Sequence, residues 1–239
     1  MESCETKKCS CGKCITGIAI LIGLAILGYF INKGLTNIAT QEQYVTVKGL
    51  AEREVMANKV VWPLPYKCVS NDMQSLYEEI EMNKNIVLSF LKAGGITESE
   101  IILSAPAVTD RLAQSYVPDN ITFRYQAEAV ITVTSSQVEK VIELMNKQIE
   151  LMKDGVIISD EYNYQTQFEY TTLNDIKPEM IEEATRNARA VAQKFADDSD
   201  SELGNIRQAS QGQFTISSDE TTPQIKNIRV VTTVKYALE

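Results

Sequence analysis

The sequence contains no histidine, and this absence limits the chemistry that the protein can perform. Histidine is the commonest general base, the proton carrier of Ser-His-Asp and Cys-His sites, and the usual zinc ligand of exported metalloenzymes. The chain also lacks a glycine-rich phosphate-binding loop and a Gly-x-Ser-x-Gly nucleophile motif. A two-carboxylate active site stays open because acidic residues are plentiful. The sequence nevertheless favours a protein that is not an enzyme.

Positive charge is scarce as well. The chain has 23 lysines and arginines and 32 acidic residues, which gives a formal net charge of −9. Residues 1–31 hold three of the basic and two of the acidic residues, so the rest of the chain carries a net charge of −10. Such a surface repels phosphate backbones and anionic lipid. We therefore expect no nucleic-acid partner.

Long apolar runs are absent except for one near the N-terminus. From Ile15 to Ile31 the sequence has no charged residue, and a helix of that length spans roughly 25 Å, at the short end of what crosses a bilayer. A cleaved signal peptide is the alternative, but a cut after Ala39 would leave Asn37 at the minus-three position, where a small residue is expected. The sequence favours an uncleaved transmembrane anchor at residues 15–31.

The charges next to this run predict its orientation. Lys7, Lys8 and Lys13 precede it, and positive charge tends to stay in the cytosol. We therefore expect a single-pass protein of the inner membrane whose C-terminal part is periplasmic. Its predicted segments are a cytosolic tail at residues 1–14, the anchor at 15–31, a stalk at 32–42 and an exported domain at 43–239.

Four of the five cysteines lie together in the predicted cytosolic tail. Cys4, Cys9, Cys11 and Cys14 could bind zinc or respond to redox state. Structural zinc sites usually place two cysteine pairs a dozen or more residues apart, and cysteines beside a membrane span can instead accept a lipid. We favour anchoring without a cofactor and keep metal binding as the alternative. Cys68 is alone after the anchor, which favours a buried thiol over an intermolecular disulfide.

Beyond residue 42, strand and helix patterns alternate. Apolar residues occupy every second position of "ITFRYQAEAVITVT" (121–134), and the same period of two occurs in 161–170 and 228–236, while 44–49 and 55–64 resemble an opening pair of strands. Helical periodicity occurs at 72–93, 137–153 and 178–197. We expect Asn71 and Gln74 as the capping pair of the first helix, Gly94 and Gly95 at its end, and Pro178 in the first turn of the third. The small alanines of the third helix predict close packing against a sheet. We predict an α+β fold of two packed ferredoxin-like lobes with antiparallel sheets and long helices, preceded by the transmembrane helix.

Aromatic residues supply the candidate interaction surface. The stretch "YNYQTQFEY" would place Tyr162, Tyr164, Phe168 and Tyr170 on one strand face, where burial between strands is the main alternative. Trp62 lies in "VWPLPYK", and Pro63 and Pro65 exclude the centre of a sheet. We expect Trp62 to fill the core at a sheet edge, with a subunit contact as the alternative.

The later part of the chain resembles the SIMPL domain family. The resemblance rests on "VTVKGLAEREVMANKVVWPLPY", on the long helix before "AGGITESEI", and above all on the alanine-rich "IEEATRNARAVAQKFADDSDSELGNI", and it covers roughly residues 43 to 237. It implies an envelope-associated bacterial protein of the α+β type. Some members are linked to oxidative-stress tolerance, and at least one assembles into a large ring-like or channel-like oligomer. The family has no catalytic residues to carry over.

Together these observations predict a membrane-tethered, non-enzymatic envelope protein. Its exported domain would self-associate or bind a protein partner, with a role in envelope or oxidative stress tolerance. The alternative is a transmembrane sensor in which the four N-terminal cysteines change redox state or bind metal.

Overall fold

The computed structural model describes residues 20–33, 43–114 and 120–239. The predicted cytosolic tail with its four cysteines, the first five residues of the predicted anchor and nearly all of the predicted stalk lie outside these residues. Residues 20–33 form a helix, α1. Within the described part of the chain, we find no helix with enough length and apolar character to cross a bilayer. The membrane span therefore stays a prediction.

Residues 43–114 and 120–239 have the predicted α+β fold, with antiparallel sheets. Its helices are α2 (Met73–Ala93), α3 (Val138–Asn146), α4 (Ile149–Lys153) and α5 (Leu173–Asp198). Its strands are β1 (Tyr44–Met56), β2 (Lys59–Ser70), β3 (Ile101–Leu103), β4 (Ala107–Asp110), β5 (Tyr125–Ser135), β6 (Gln167–Glu169), β7 (Leu203–Gln211), β8 (Thr215–Ser217) and β9 (Ile225–Leu238). One sheet has the order β1-β9-β7 with β8 also paired to β9, and the other has the order β3-β5-β2-β6 with β4 also paired to β5.

The chain divides into two compact units, and each is discontinuous in sequence. Among the described residues, one unit lies within residues 1–50, 183–212 and 231–239, and the other lies within residues 51–182 and 213–230. Strands β1 and β9 and helix α5 each contribute to both units. The intimate packing of two ferredoxin-like lobes stays a prediction.

The core of the unit formed by residues 51–182 and 213–230 rests on the β2–β5 pair. These strands pair antiparallel from Val60↔Ser135 to Ser70↔Tyr125, and the predicted period of two is visible as buried alternate residues on both of them. Helices α2 and α3 cover that face with their own apolar stripes. The strand predicted at 121–134 is shorter than expected, because pairing begins only at Tyr125.

The prolines of β2 lie beyond the part of the strand that pairs with β6. The short β6 pairs with β2 only from Lys59 to Val61, and past that point Pro63 and Pro65 pair with β5 alone in the regular ladder. An isolated bridge between Tyr66 and Ile158 follows directly. A proline lacks the N–H that a strand on a second side would need. β2 is nevertheless an inner strand in the order β3-β5-β2-β6, and the carbonyl oxygen of Pro65 accepts a hydrogen bond of 2.7 Å from the backbone N–H of Ser159. The expected edge position is therefore correct only locally, around Pro63, and wrong for the strand as a whole, because β6 pairs with the start of β2.

The ends of α2 follow the predicted signals with one correction. Asp72 caps the N-terminus, because its carboxylate accepts a hydrogen bond of 2.8 Å from the backbone N–H of Ser75. The predicted capping pair, Asn71 with Gln74, was therefore wrong by one residue. Gly94 ends the helix, and Gly95 adopts a positive φ of 79° that favours glycine.

Three other local predictions were wrong. The strand expected at 55–64 is interrupted, because the chain turns at Ala57 and Asn58 between β1 and β2. The helix expected at 137–153 divides into α3 and α4, since its hydrogen bonds span three residues around Lys147 and Gln148. Pro178 lies inside α5 rather than in its first turn, because the helix already begins at Leu173.

The unit that contains the start of β1 has a core of small residues on α5. Ala188 and Ala192 pack with Val47, Val234 and Tyr236 from β1 and β9. Gly49 faces the same helix so closely that an added Cβ would lie 1.8 Å from the carbonyl oxygen of Ala184. The alanine-rich pattern of α5 thus produces the close packing against a sheet that it predicted.

Candidate functional site

The cysteine predicted to be buried is buried. Cys68 is free and 2% exposed, and it lies among the core residues that β2 directs toward α2. The side-chain amide of Asn83 donates to its Sγ at 3.3 Å. Burial is the main reason that the pKa of the thiol rises to about 11. A thiol with this pKa is protonated at neutral pH and is a poor nucleophile.

The candidate interface residues are distributed over very different environments. Trp62 is 2% exposed within the core of β2, β5 and α2, and Phe168 on β6 packs against that core. Tyr162 and Tyr164 belong to a short 3-10 helix at Tyr162–Tyr164. The strand expected at 161–170 is thus reduced to the three residues of β6, and these aromatic side chains do not share one strand face. Tyr162 is 88% exposed, whereas Tyr164 and Tyr170 are half-buried.

Tyr164 has a structural partner on β5. Its hydroxyl forms a hydrogen bond with Glu128, and this bond is the largest cause of the raised pKa of the phenol. Lys67 forms a salt bridge with Glu161 and lies 4.0 Å from Glu128. These contacts among Lys67, Glu128, Glu161 and Tyr164 connect the 3-10 helix to β2 and β5. The role of Tyr164 is therefore structural. Tyr162, by contrast, projects into solvent and is available to a partner.

The charged groups of the described residues form pairs, and none of the pairs has the geometry of a metal site. Arg124 binds Asp110 at 2.8 Å and lowers the pKa of that carboxyl. Glu100 accepts a hydrogen bond from Ser135, which is the main cause of its own lowered pKa. Within residues 20–33, 43–114 and 120–239, we find no group of three or more Cys, Asp or Glu side chains that could hold a metal ion. The predicted zinc ligands, Cys4, Cys9, Cys11 and Cys14, lie outside this part of the chain.

An exposed sheet edge is the feature that the sequence prediction missed. Strand β7 is the last strand in the order β1-β9-β7 and pairs antiparallel with β9. Every residue from Asn205 to Gln211 is exposed, so this part of the strand is uncovered on both faces. Its sequence, "LGNIRQASQ", contains neither proline nor lysine, which commonly block an edge, although it has one charged residue, Arg207, and its register with β9 is irregular between Leu203 and Gln208. That composition was the signal available in the sequence.

Comparison with known proteins is consistent with the resemblance seen in the sequence. The SIMPL family, described as "Protein of unknown function (DUF541)", matches residues 45–236, which is most of the chain. No curated protein matches the chain. The match begins within β1 and ends within β9, so it spans both sheets and all helices from α2 to α5. The chain therefore belongs to the SIMPL family.

Proposed function

We propose that this protein is a membrane-tethered, non-enzymatic component of the bacterial envelope whose exported SIMPL domain, built of two ferredoxin-like lobes, self-associates through strand β7. The observation that carries the proposal is the open edge of β7. An exposed strand edge presents unpaired N–H and C=O groups, and a strand of a second molecule can satisfy them.

The composition of β7 is compatible with pairing between identical copies. Two copies of a chain with a net charge of −9 repel each other overall. The strand itself contains one charged residue, Arg207, and no acidic residue. Antiparallel pairing of β7 with the β7 of a second copy would form an isologous contact with twofold symmetry. Ile206, which is 50% exposed, would lose contact with water in that contact.

The tether is supported by the surface of α1. Its apolar side chains are more than half exposed, including Leu21, Tyr29 and Phe30. Contact between water and a run of large apolar residues is unfavourable, so such a surface usually marks a contact with protein or with a membrane. In the proposal, the lipid of the inner membrane covers them, and the domain that follows lies in the periplasm.

Size measurement of the full chain in a mild detergent tests self-association. We expect multi-angle light scattering to give a mass above that of the monomer, increasing with protein concentration. Ile206→Lys combined with Ser210→Lys adds two positive charges to β7 and should shift the protein to monomer. Ile157→Lys combined with Gln165→Lys is the matched control, because both residues are exposed and lie outside the strands. A wild-type chain that stays monomeric at high concentration, or equal effects of the two double variants, would contradict the proposal.

The four N-terminal cysteines support a second candidate function, a thiol or metal sensor. Four thiols within eleven residues are the specific observation in its favour. Zinc analysis of the purified full chain, compared with a variant in which all four cysteines are replaced by serine, tests this function. Stoichiometric zinc that the variant loses would support a sensor, and equal metal content in both proteins would count against metal sensing.

A further inference from the structure

We propose that a cavity beside Tyr66 binds a small, neutral, mostly apolar molecule that carries one hydrogen-bonding group. The cavity has a volume of about 370 Å³, which is at the small end of the range for ligand sites. It lies within the unit formed by residues 51–182 and 213–230, and no residue of β7 lines it. The inference is therefore independent of self-association and of the tether.

Four separate segments form the walls of the cavity. Strands β2 and β5 provide Tyr66, Ala129 and Ile131, and α2 provides Ile80. The connection between β3 and β4, residues 104–106, forms the opposite wall together with Leu103. The backbone N–H of Ser104 donates to the carbonyl of Val130 at 3.2 Å. This bond holds the connection over β5, so the cavity is part of the fold.

Tyr66 lines the cavity together with Ile80, and in the proposal its hydroxyl is the group that bonds to the ligand. Tyr66 is 2% exposed, and its hydroxyl donates to the carbonyl oxygen of Ile80 at 3.4 Å. Hydroxyl donors normally lie 2.5–3.0 Å from their acceptors, so this bond is weak. A buried donor with a weak partner gains free energy when a better acceptor arrives. A hydroxyl or carbonyl oxygen of a ligand in the cavity would be that acceptor.

The charges on the cavity wall favour a neutral ligand. Glu81 and Lys84 both line the cavity and are paired with each other at 2.5 Å. A charged ligand would have to separate this pair or bring an unpaired charge against the apolar wall, and both are unfavourable. A neutral molecule leaves the pair intact and buries its apolar part against Ile80, Leu103 and Ile131.

Binding of benzyl alcohol, toluene, benzoate and benzylamine to the full chain in lipid nanodiscs tests the proposal. The methyl NMR signals of Ile80 and Ile131 would report on the cavity directly. We expect benzyl alcohol to shift these signals and to bind about threefold to tenfold more tightly than toluene, because one neutral hydrogen bond separates the two molecules. The two charged compounds should bind more weakly than benzyl alcohol. Stronger binding of either charged compound would overturn the assignment of a neutral ligand.

Matched variants locate the site. Ala105→Phe places a ring at the exposed wall of the cavity and should abolish the shifts with benzyl alcohol and toluene alike. Ala107→Phe makes the same change two residues further on, at an exposed position outside the cavity, and should leave binding unchanged. Tyr66→Phe should remove the preference for benzyl alcohol over toluene. No shift in the wild-type protein, equal shifts in the two alanine variants, or a preference that survives in the Tyr66 variant would overturn the proposal.

Discussion

Gly49 on β1 offers the sharpest test of how the sequence specifies the packing of α5. A Cβ on this residue would lie 1.8 Å from the carbonyl oxygen of Ala184 and 2.5 Å from the backbone nitrogen of Ala188. Cβ atoms in proteins essentially never approach other heavy atoms within 3.0 Å. Gly49→Ala therefore requires α5 to move away from β1 by about 1.2 Å, a separation that already forfeits much of the dispersion energy between packed surfaces.

The expected loss of stability follows from two opposing effects. Overpacking of a tight interior costs about 1–3 kcal/mol, and the upper end applies because the two nearest clashing atoms belong to the backbone. Replacement of glycine by alanine also restricts the unfolded chain, which returns about 0.4–1 kcal/mol. The net expectation is a free energy of unfolding lower by about 2 kcal/mol, equivalent to a decrease in Tm of about 4–8 °C.

Far-UV circular dichroism of the full chain in detergent, with thermal and urea unfolding, measures this change. Gly204→Ala is the matched control in the same unit, because its nearest contact is the end of the flexible Glu239 side chain. That variant should change stability by less than about 1 kcal/mol. Combining Gly49→Ala with Ala188→Gly should not restore stability, since the backbone atoms remain in place. A Gly49→Ala protein as stable as wild type, or rescue by Ala188→Gly, would refute the reasoning.

Three further predictions concern buried and bridging polar groups. The Tyr236 hydroxyl is buried and has no hydrogen-bond partner among the described residues. Tyr236→Phe should therefore raise the free energy of unfolding by about 1 kcal/mol in urea titrations. An appreciable loss of stability would show that the hydroxyl does form a hydrogen bond. The Asn58 side chain accepts a hydrogen bond from the backbone N–H of Thr171 at 2.9 Å. Asn58→Ala should therefore lower the free energy of unfolding by about 1 kcal/mol, whereas Asn58→Asp, which keeps an acceptor, should lower it less. Equal losses of stability in the two variants would argue against a role for this bond. Burial raises the pKa of Tyr66 to about 12 and of Cys68 to about 11, above their ordinary values of 10.0 and 9.0. Both groups therefore stabilise the fold fully below about pH 9, and this stability should be lost as the pH rises from 9 to 12. Cys68→Ala should make the decrease with pH shallower, and a wild-type stability that stays constant over that range would contradict the assignment.

The sequence alone was sufficient to predict a strand or helix where its local pattern of apolar residues agrees with the residues that are buried. The period of two in β5 and β9 and the apolar stripes of α2 and α5 each correspond to an element of the fold, because an amphipathic segment has one face that must be buried. Gly49, which has no Cβ, packs against the alanines of α5. The small residues at helical spacing in α5 indicated this close contact in the sequence. The prolines of β2 likewise agree with the end of regular pairing between β2 and β6 at Val61.

Tertiary structure alone decided features that depend on residues far apart in sequence. The stretch at 161–170 alternates like a strand, but it has a strand partner only where β6 meets the start of β2. Tyr162–Tyr164 forms a 3-10 helix instead. The open edge of β7 exists because β9 pairs on its other side with β1, more than 150 residues earlier in the chain. The cavity beside Tyr66 combines β2, α2, β5 and the β3–β4 connection. Local periodicity indicates which face of a segment is apolar. Whether a strand edge stays unpaired or a cavity stays unfilled depends on where other segments of the chain pack, and those segments are distant in sequence.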